Sequence, residues 1–338
     1  MTTTLSRSET PPTGAPDALH RLRAGVVALA DRLGVALALL LLVVVFGVAA
    51  PYFFTVDNLL DVARQIAVTA ILGAGLTFVI ITAGIDLSVG SAVGVTAFVA
   101  IALSLNGVSA PWALLAALVT GVLIGFINGA LVAGLGLASF IVTLAALTYL
   151  RGVTYVGTDG RTLFSTELSY ASLGSGALLG IPIPVLIMAA VFAVGWYVLN
   201  RTVFGRWVYA VGGNAEAARL AGIPVRRVLL TVYVISGLCA AVGGILASAR
   251  LQSSVPDLGT GYELSAIAAV VLGGTSLMGG RGSLIGTFVG AAIIGVLVNG
   301  MTLLDVSTFY QQIIQGVVIV LAVALDRLRS RGSAGETA

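Results

Sequence analysis

The sequence has no lysine, one histidine (His20) and one cysteine (Cys239) among 338 residues. Without lysine there is no Walker A site, whose phosphate cradle requires Gly-Lys-Ser/Thr. The chain therefore binds no nucleotide in the P-loop manner. A single cysteine excludes an internal disulfide, and one His with one Cys excludes a His/Cys metal cluster. Charge is also scarce: 17 basic and 14 acidic residues make 9% of the chain, against roughly 25% in soluble domains. These are too few to form the charged surface of a soluble fold this long. That excludes an ordinary cytoplasmic enzyme, a nucleic-acid-binding domain and a disordered chain. What is present is apolar, 58% of residues, with 43 glycines. Small residues let membrane helices approach closely. A span needs about 20 apolar residues to cross ~30 Å of hydrocarbon. The composition thus predicts an all-α polytopic membrane protein with about ten transmembrane helices.

The chain divides accordingly. Residues 1–30 read as a polar cytoplasmic tail, 31–328 as a transmembrane domain containing a basic loop at 200–227, and 329–338 as a polar cytoplasmic tail. The apolar runs fall at about 34–50, 66–83, 91–105, 112–135, 140–156, 183–199, 228–247, 263–277, 284–304 and 310–325. The eighth is short and broken by glycine, so it is also readable as a re-entrant element. Cytoplasmic loops collect Arg. Arg clusters in the N-terminal tail (Arg7, Arg21, Arg23, Arg32), in the middle loop (Arg201, Arg206, Arg219, Arg226, Arg227) and at the C-terminus (Arg327, Arg329, Arg331). Six runs precede the middle loop and four follow it, so parity and charge agree on ten spans with both termini inside. The net charge of +3 is spread over these loops and reads as a topology signal.

Within the middle loop, Asn214 is a good N-cap and Glu216 sits in the first turn, where negative charge suits the helix dipole. Ala217, Ala218, Arg219 and Leu220 favour helix. Gly222, before Ile223 and Pro224, suits the left-handed position that ends one. A two-turn helix cannot stand alone. It packs either on its own bundle or on a cytoplasmic partner. A second stretch, Gly84–Ser91 (GIDLSVGS), holds Asp86, Ser88 and Gly90 near the cytoplasmic end of the second span. Asp86 reads as capping the third span and packing a gate. A third, Gly273–Ser283, holds Gly279, Gly280 and Gly282; with no strand before it and no lysine after, it reads as a tight turn. Polar residues within spans are few, among them Asn128, Thr143, Asn299 and Gln311. They either line a pathway for a polar solute or bond between helices. Arg151 reads as snorkelling at the outer end of the fifth span.

Together, GIDLSVGS, Asn214–Val225 (NAEAARLAGIPV), Tyr262–Thr287 (YELSAIAAVVLGGTSLMGGRGSLIGT), Phe140–Leu144 (FIVTL), Arg151-Gly152 and Asn299-Gly300 resemble the signature segments of ribose-type sugar ABC transporter permeases. The resemblance covers about residues 34–328. One departure is Ser139, where relatives often carry proline. The resemblance implies the membrane subunit of a bacterial inner-membrane importer, paired with a second permease copy as homodimer or heterodimer. A cytoplasmic ABC ATPase would dock on the middle loop, with Asn214, Ala217, Ala218, Gly222 and Ile223 in the coupling helix. An extracytoplasmic sugar-binding protein would deliver a monosaccharide. Membrane lipid surrounds such a subunit, and neither a cofactor, a metal, a catalytic residue nor nucleic acid is implied. ATP hydrolysis would belong to another chain. Permeation of another small polar solute, such as a branched-chain amino acid or a furanone-like signal, is the alternative. An intramembrane hydrolase is disfavoured, because no paired carboxylates and no intramembrane His supply acid-base chemistry. A passive channel would transport without ATP.

Overall fold

A computed structural model describes residues 34–334. The expected N-terminal tail, with Arg7, His20, Arg21, Arg23 and Arg32, lies outside the described residues, as do residues 335–338. Every apolar run contains a helix. The first five helices are α1 (Gly34–Ala49), α2 (Val56–Ile81), α3 (Val89–Leu105), α4 (Ala110–Leu135) and α5 (Ser139–Gly157). A surface segment follows, with β1 (Leu163–Phe164), the single turn α6 (Ser172–Ser175) and the hairpin β2 (Ala177–Leu178) and β3 (Ile181–Pro182). Then come α7 (Ile183–Arg201), α8 (Val203–Gly213), α9 (Ala215–Leu220) and α10 (Val225–Leu251). The chain ends with β4 (Ser253–Ser254), α11 (Tyr262–Leu272), α12 (Leu284–Leu303) and α13 (Thr308–Ala334). Strand β4 pairs antiparallel with β1, Leu163 opposite Ser254.

Among the described residues, six helices are long and apolar enough to cross a membrane: α2, α4, α5, α7, α10 and α12. The other apolar segments, Gly34–Ala49, Val89–Leu105, Tyr262–Leu272 and Thr308–Leu321, are shorter. By length alone this is fewer than the ten full crossings that composition predicts. The 11 residues of α11 rise only ~16 Å, about half the hydrocarbon thickness. Helix α13 continues to Ala334, through part of the expected C-terminal tail.

Tight helix contacts explain the glycine content. On α4, Gly121, Gly125 and Gly129 fall at four-residue spacing and face α10. A Cβ at Gly121 would strike the Gly237 carbonyl, and one at Gly125 would strike the Tyr233 carbonyl. Backbone thus meets backbone, as small-xxx-small packing allows. Helix α12 meets α2 through glycines too, but there the glycine accepts a side chain: Gly73 faces the Thr287 methyl and Gly295 faces Ile66. The hydroxyls of Thr77 and Thr287 bond at 2.7 Å in the same interface.

The similarity between these two pairings reflects an internal repeat. Gly84-Ile85-Asp86-Leu87-Ser88 leads into α3, and Gly261-Tyr262-Glu263-Leu264-Ser265 opens α11. Asn128-Gly129 on α4 corresponds to Asn299-Gly300 on α12. So α2–α3–α4–α5 and α10–α11–α12–α13 are two copies of one unit. The end of α2 and the start of α10 lie on the same face, beside α8 and α9, so the copies run in opposite senses.

Candidate coupling site

The middle loop holds two helices. Thr202 caps α8, its Oγ1 accepting from Gly205 N–H at 3.2 Å. Asn214 ends α8 and caps α9, its Oδ1 accepting from Ala217 N–H at 2.9 Å. The chain leaves α9 at Gly222, φ +81°, a conformation that glycine adopts without strain. Ala218 alone of α9 is buried, and Ile223 packs against the cluster formed by Phe78, Val208, Val211 and Tyr233. The opposite face is open: Glu216, Ala217 and Arg219 are exposed, and Leu220 is 77% exposed. The Arg219 guanidinium donates to both Glu216 oxygens. That bond and its charge hold the Glu216 carboxyl below its usual range. Arg201, Arg206, Arg226, Arg227 and Arg281 are exposed around it.

What α9 touches inward gives this helix mechanical reach. A Cβ at Gly212, at the end of α8, would strike the Ile81 carbonyl at the end of α2. The same carbonyl accepts from Gly280 N–H at 2.9 Å. Gly279 and Gly280 adopt φ of +83° and +72°, and the Tyr209 hydroxyl donates to the Gly282 carbonyl at 2.9 Å. The turn between α11 and α12 is therefore locked against α2 and α8 at one joint. Helix α8, which α9 follows directly, thus contacts the end of α2 and the α11–α12 turn.

Asp86 lies elsewhere and deeper than its sequence position near an interface implies. It is 2% exposed. Its Oδ1 accepts from Ser88 N–H at 3.0 Å and Ser88 Oγ at 2.6 Å, and its Oδ2 from Ser236 Oγ at 2.7 Å. Ser88 Oγ in turn accepts from Asn128 Nδ2 at 2.9 Å. Ser236 is ~16 Å along α10 from its start, and Asn128 ~10 Å from the end of α4. The 82–88 segment therefore climbs into the bundle, and the carboxylate ties α4 and α10 to the entrance of α3. Gly90 follows, where a Cβ would strike the Glu263 carboxylate and approach the Gly259 carbonyl.

Thr143 and Ser139 hold the same segment, and the remaining polar positions lie elsewhere. Thr143 Oγ1 donates to the Ile85 carbonyl at 3.1 Å. Ser139 Oγ accepts from Ile85 N–H at 3.1 Å, so this first residue of α5 pins the climbing segment with a group proline lacks. Asn299 exchanges two amide bonds with Asn58 of α2, at 2.8 and 3.1 Å. Gln311 donates to Thr302 Oγ1 and the Val306 carbonyl, and it borders a cleft between α2, α11, α12 and α13. Arg151 does not snorkel; its Nη1 donates to the carbonyls of Pro256 and Leu258, at 3.3 and 2.8 Å. Sequence reasoning missed α8 and Glu263. The repeated Gly-x-acid-Leu-Ser pentapeptide is the signal that exposes Glu263.

Residues 58–323 match the family described as the branched-chain amino acid transport system / permease component. The chain belongs to this permease family. The permease is 47% identical over 296 residues to the ribose import permease protein of Haemophilus influenzae, covering 86% of this chain and 91% of that one. It is 44% identical to the ribose import permease protein of Bacillus subtilis, over 89% and 94% of the two chains. It is 39% identical to the D-allose transport system permease protein of Escherichia coli, over 89% and 93%. No solved structure matches it. The permease is a multi-pass protein of the bacterial inner membrane.

Proposed function

We propose that this permease is the membrane subunit of an ATP-driven importer of ribose-type monosaccharides. A cytoplasmic ATPase grips α9, and an extracytoplasmic binding protein delivers the sugar. The observation that carries this reading is the capped, outward-facing α9, joined through Gly212 to the Ile81 carbonyl and the α11–α12 turn. Such a handle has no use in a passive channel. Two copies, or this chain with a related one, form the passage between them; each of the ten apolar segments crosses once, and both ends lie in the cytoplasm. The ATPase does work on the permease only by binding one of its states better than the other. Closure of the ATPase pair displaces α9, and the joint carries that displacement to α2 and the α11–α12 turn. The permease itself breaks no bond; hydrolysis is the partner's. The relatives' names favour sugar over the amino acids in the family description.

The test is uptake into proteoliposomes holding the permease, its ATPase and its binding protein. Labelled ribose should accumulate only with ATP and the binding protein. Accumulation of leucine without ribose, or ribose entry at full rate without ATP, would overturn the reading.

A further inference from the structure

The cleft between α2, α11, α12 and α13 has no part in the coupling described above. Its volume is about 540 Å³, within the ~300–1,000 Å³ of small-molecule sites. Gln65 and Thr69 of α2, Ser265 of α11 and Gln312 and Gln315 of α13 face it. Unlike Gln311, these three glutamines make no side-chain hydrogen bond among the described residues. Gln65 closes the polar start of α2, and Thr69 lies ~6 Å further along the helix, among apolar residues. An occupant that gives and accepts hydrogen bonds matches these convergent polar groups. Val68, Ile294 and Val298 add apolar wall, which suits the C–H faces of a small polyol.

The internal repeat supplies an independent argument. The acid of the first copy, Asp86, is fully bonded inside packed helices. Its counterpart Glu263 borders the cleft, with Oε1 accepting from Gly261 N–H at 3.2 Å and Oε2 buried without a partner. Oε2 faces Gly90 of α3 and not the cleft, so what distinguishes the second copy is the cleft beside its acid.

We propose that this cleft holds the sugar in the outer half of the permease. The ligand is an uncharged monosaccharide, whose hydroxyls bond the amides of Gln65, Gln312 and Gln315 and the hydroxyls of Thr69 and Ser265. The assignment rests on the sugar-import reading and names where in the permease the sugar is held.

The test uses the full complex in proteoliposomes, with labelled ribose as probe. The unaltered complex is measured first: failure to import ribose removes the sugar-import reading and this proposal with it. Given import, the double variant Gln65→Leu, Gln315→Leu should lower ribose uptake per ATP hydrolysed at least tenfold, while the loaded binding protein still stimulates the ATPase. Unchanged uptake per ATP overturns the cleft alone and leaves sugar import standing. A second measurement covers loss of folding in the double variant. In a Cys239→Ala background, Gln312→Cys is treated with a charged, membrane-impermeant thiosulfonate. Ribose presented with its binding protein should slow modification at least threefold. An unchanged rate overturns the proposal, as does disulfide-linking of two permease copies through this cysteine with uptake intact, which would make the cleft an interface between copies.

Discussion

At the scale of single residues, the 82–88 segment is held by few atoms. Asp86 is a buried carboxylate that takes part in no ion pair among the described residues and is satisfied by hydroxyl and amide donors. Ser236→Ala removes the donor that serves Oδ2. A buried acceptor left bare costs about 1–3 kcal/mol. The variant should melt several degrees lower than the parent in detergent, and Ser236→Thr should recover most of the loss. Equal melting of the alanine variant would show that Oδ2 is served from elsewhere. Gly90→Ala acts by volume instead, forcing a carbon into the Glu263 carboxylate and the Gly259 carbonyl. Overpacking costs roughly 1–3 kcal/mol. Its melting temperature should fall likewise, and Glu263→Ala in the same chain should restore part of it by removing the obstructing oxygens. No restoration would place the strain on the Gly259 carbonyl alone.

At the scale of elements, α9 is where a small change should uncouple the machine. Gly222 has φ +81° and donates its N–H to the Arg219 carbonyl. Proline fixes φ near −65° and lacks that hydrogen. Gly222→Pro should therefore displace the end of α9 and weaken ATPase binding by about tenfold, judged from a loss near 1.4 kcal/mol, with the protein still in the membrane. Arg219→Glu reverses an exposed charge beside Glu216 and should weaken the same association, more at low salt than at high. Co-purification and ATP-coupled uptake check both, and full coupling in either variant would remove α9 from the docking surface. The helix was legible in the sequence because its signals are local: the cap at Asn214 and the stop at Gly222 lie within nine residues. Its neighbour α8 was not, because Gly205, Gly212 and Gly213 within it read as loop until the close contacts of Gly205 with Leu199 and of Gly212 with Ile81 are known. The apolar run at 263–277 is short and glycine-broken in the sequence, and only Tyr262–Leu272 is helical there. The depth of Asp86 was illegible, because Ser236 is 150 positions away and nothing near Asp86 betrays that contact.

At the scale of the whole molecule, the inverted repeat and the single coupling joint make a claim about sidedness. The ends of α2 and α8 and the α11–α12 turn meet at one face. The β2–β3 hairpin lies beyond the other ends of α5 and α7, with Leu179 at its tip 95% exposed. If α9 is the grip of a cytoplasmic ATPase, Leu179 faces the exterior. The native Cys239 is buried and does not interfere with thiol labelling. In intact cells, a membrane-impermeant maleimide should label Leu179→Cys within minutes and leave Glu216→Cys unlabelled. In inside-out vesicles the pattern should reverse. Glu216 sits on the open face of α9 and Leu179 on a surface hairpin, so neither change disturbs packing, and the readout depends on orientation alone. Labelling of residue 216 from outside would put the handle where no ATP is available. The glycine joint would then transmit a signal from an exterior partner, and the proposed direction of energy flow through α8, α2 and the α11–α12 turn would be reversed.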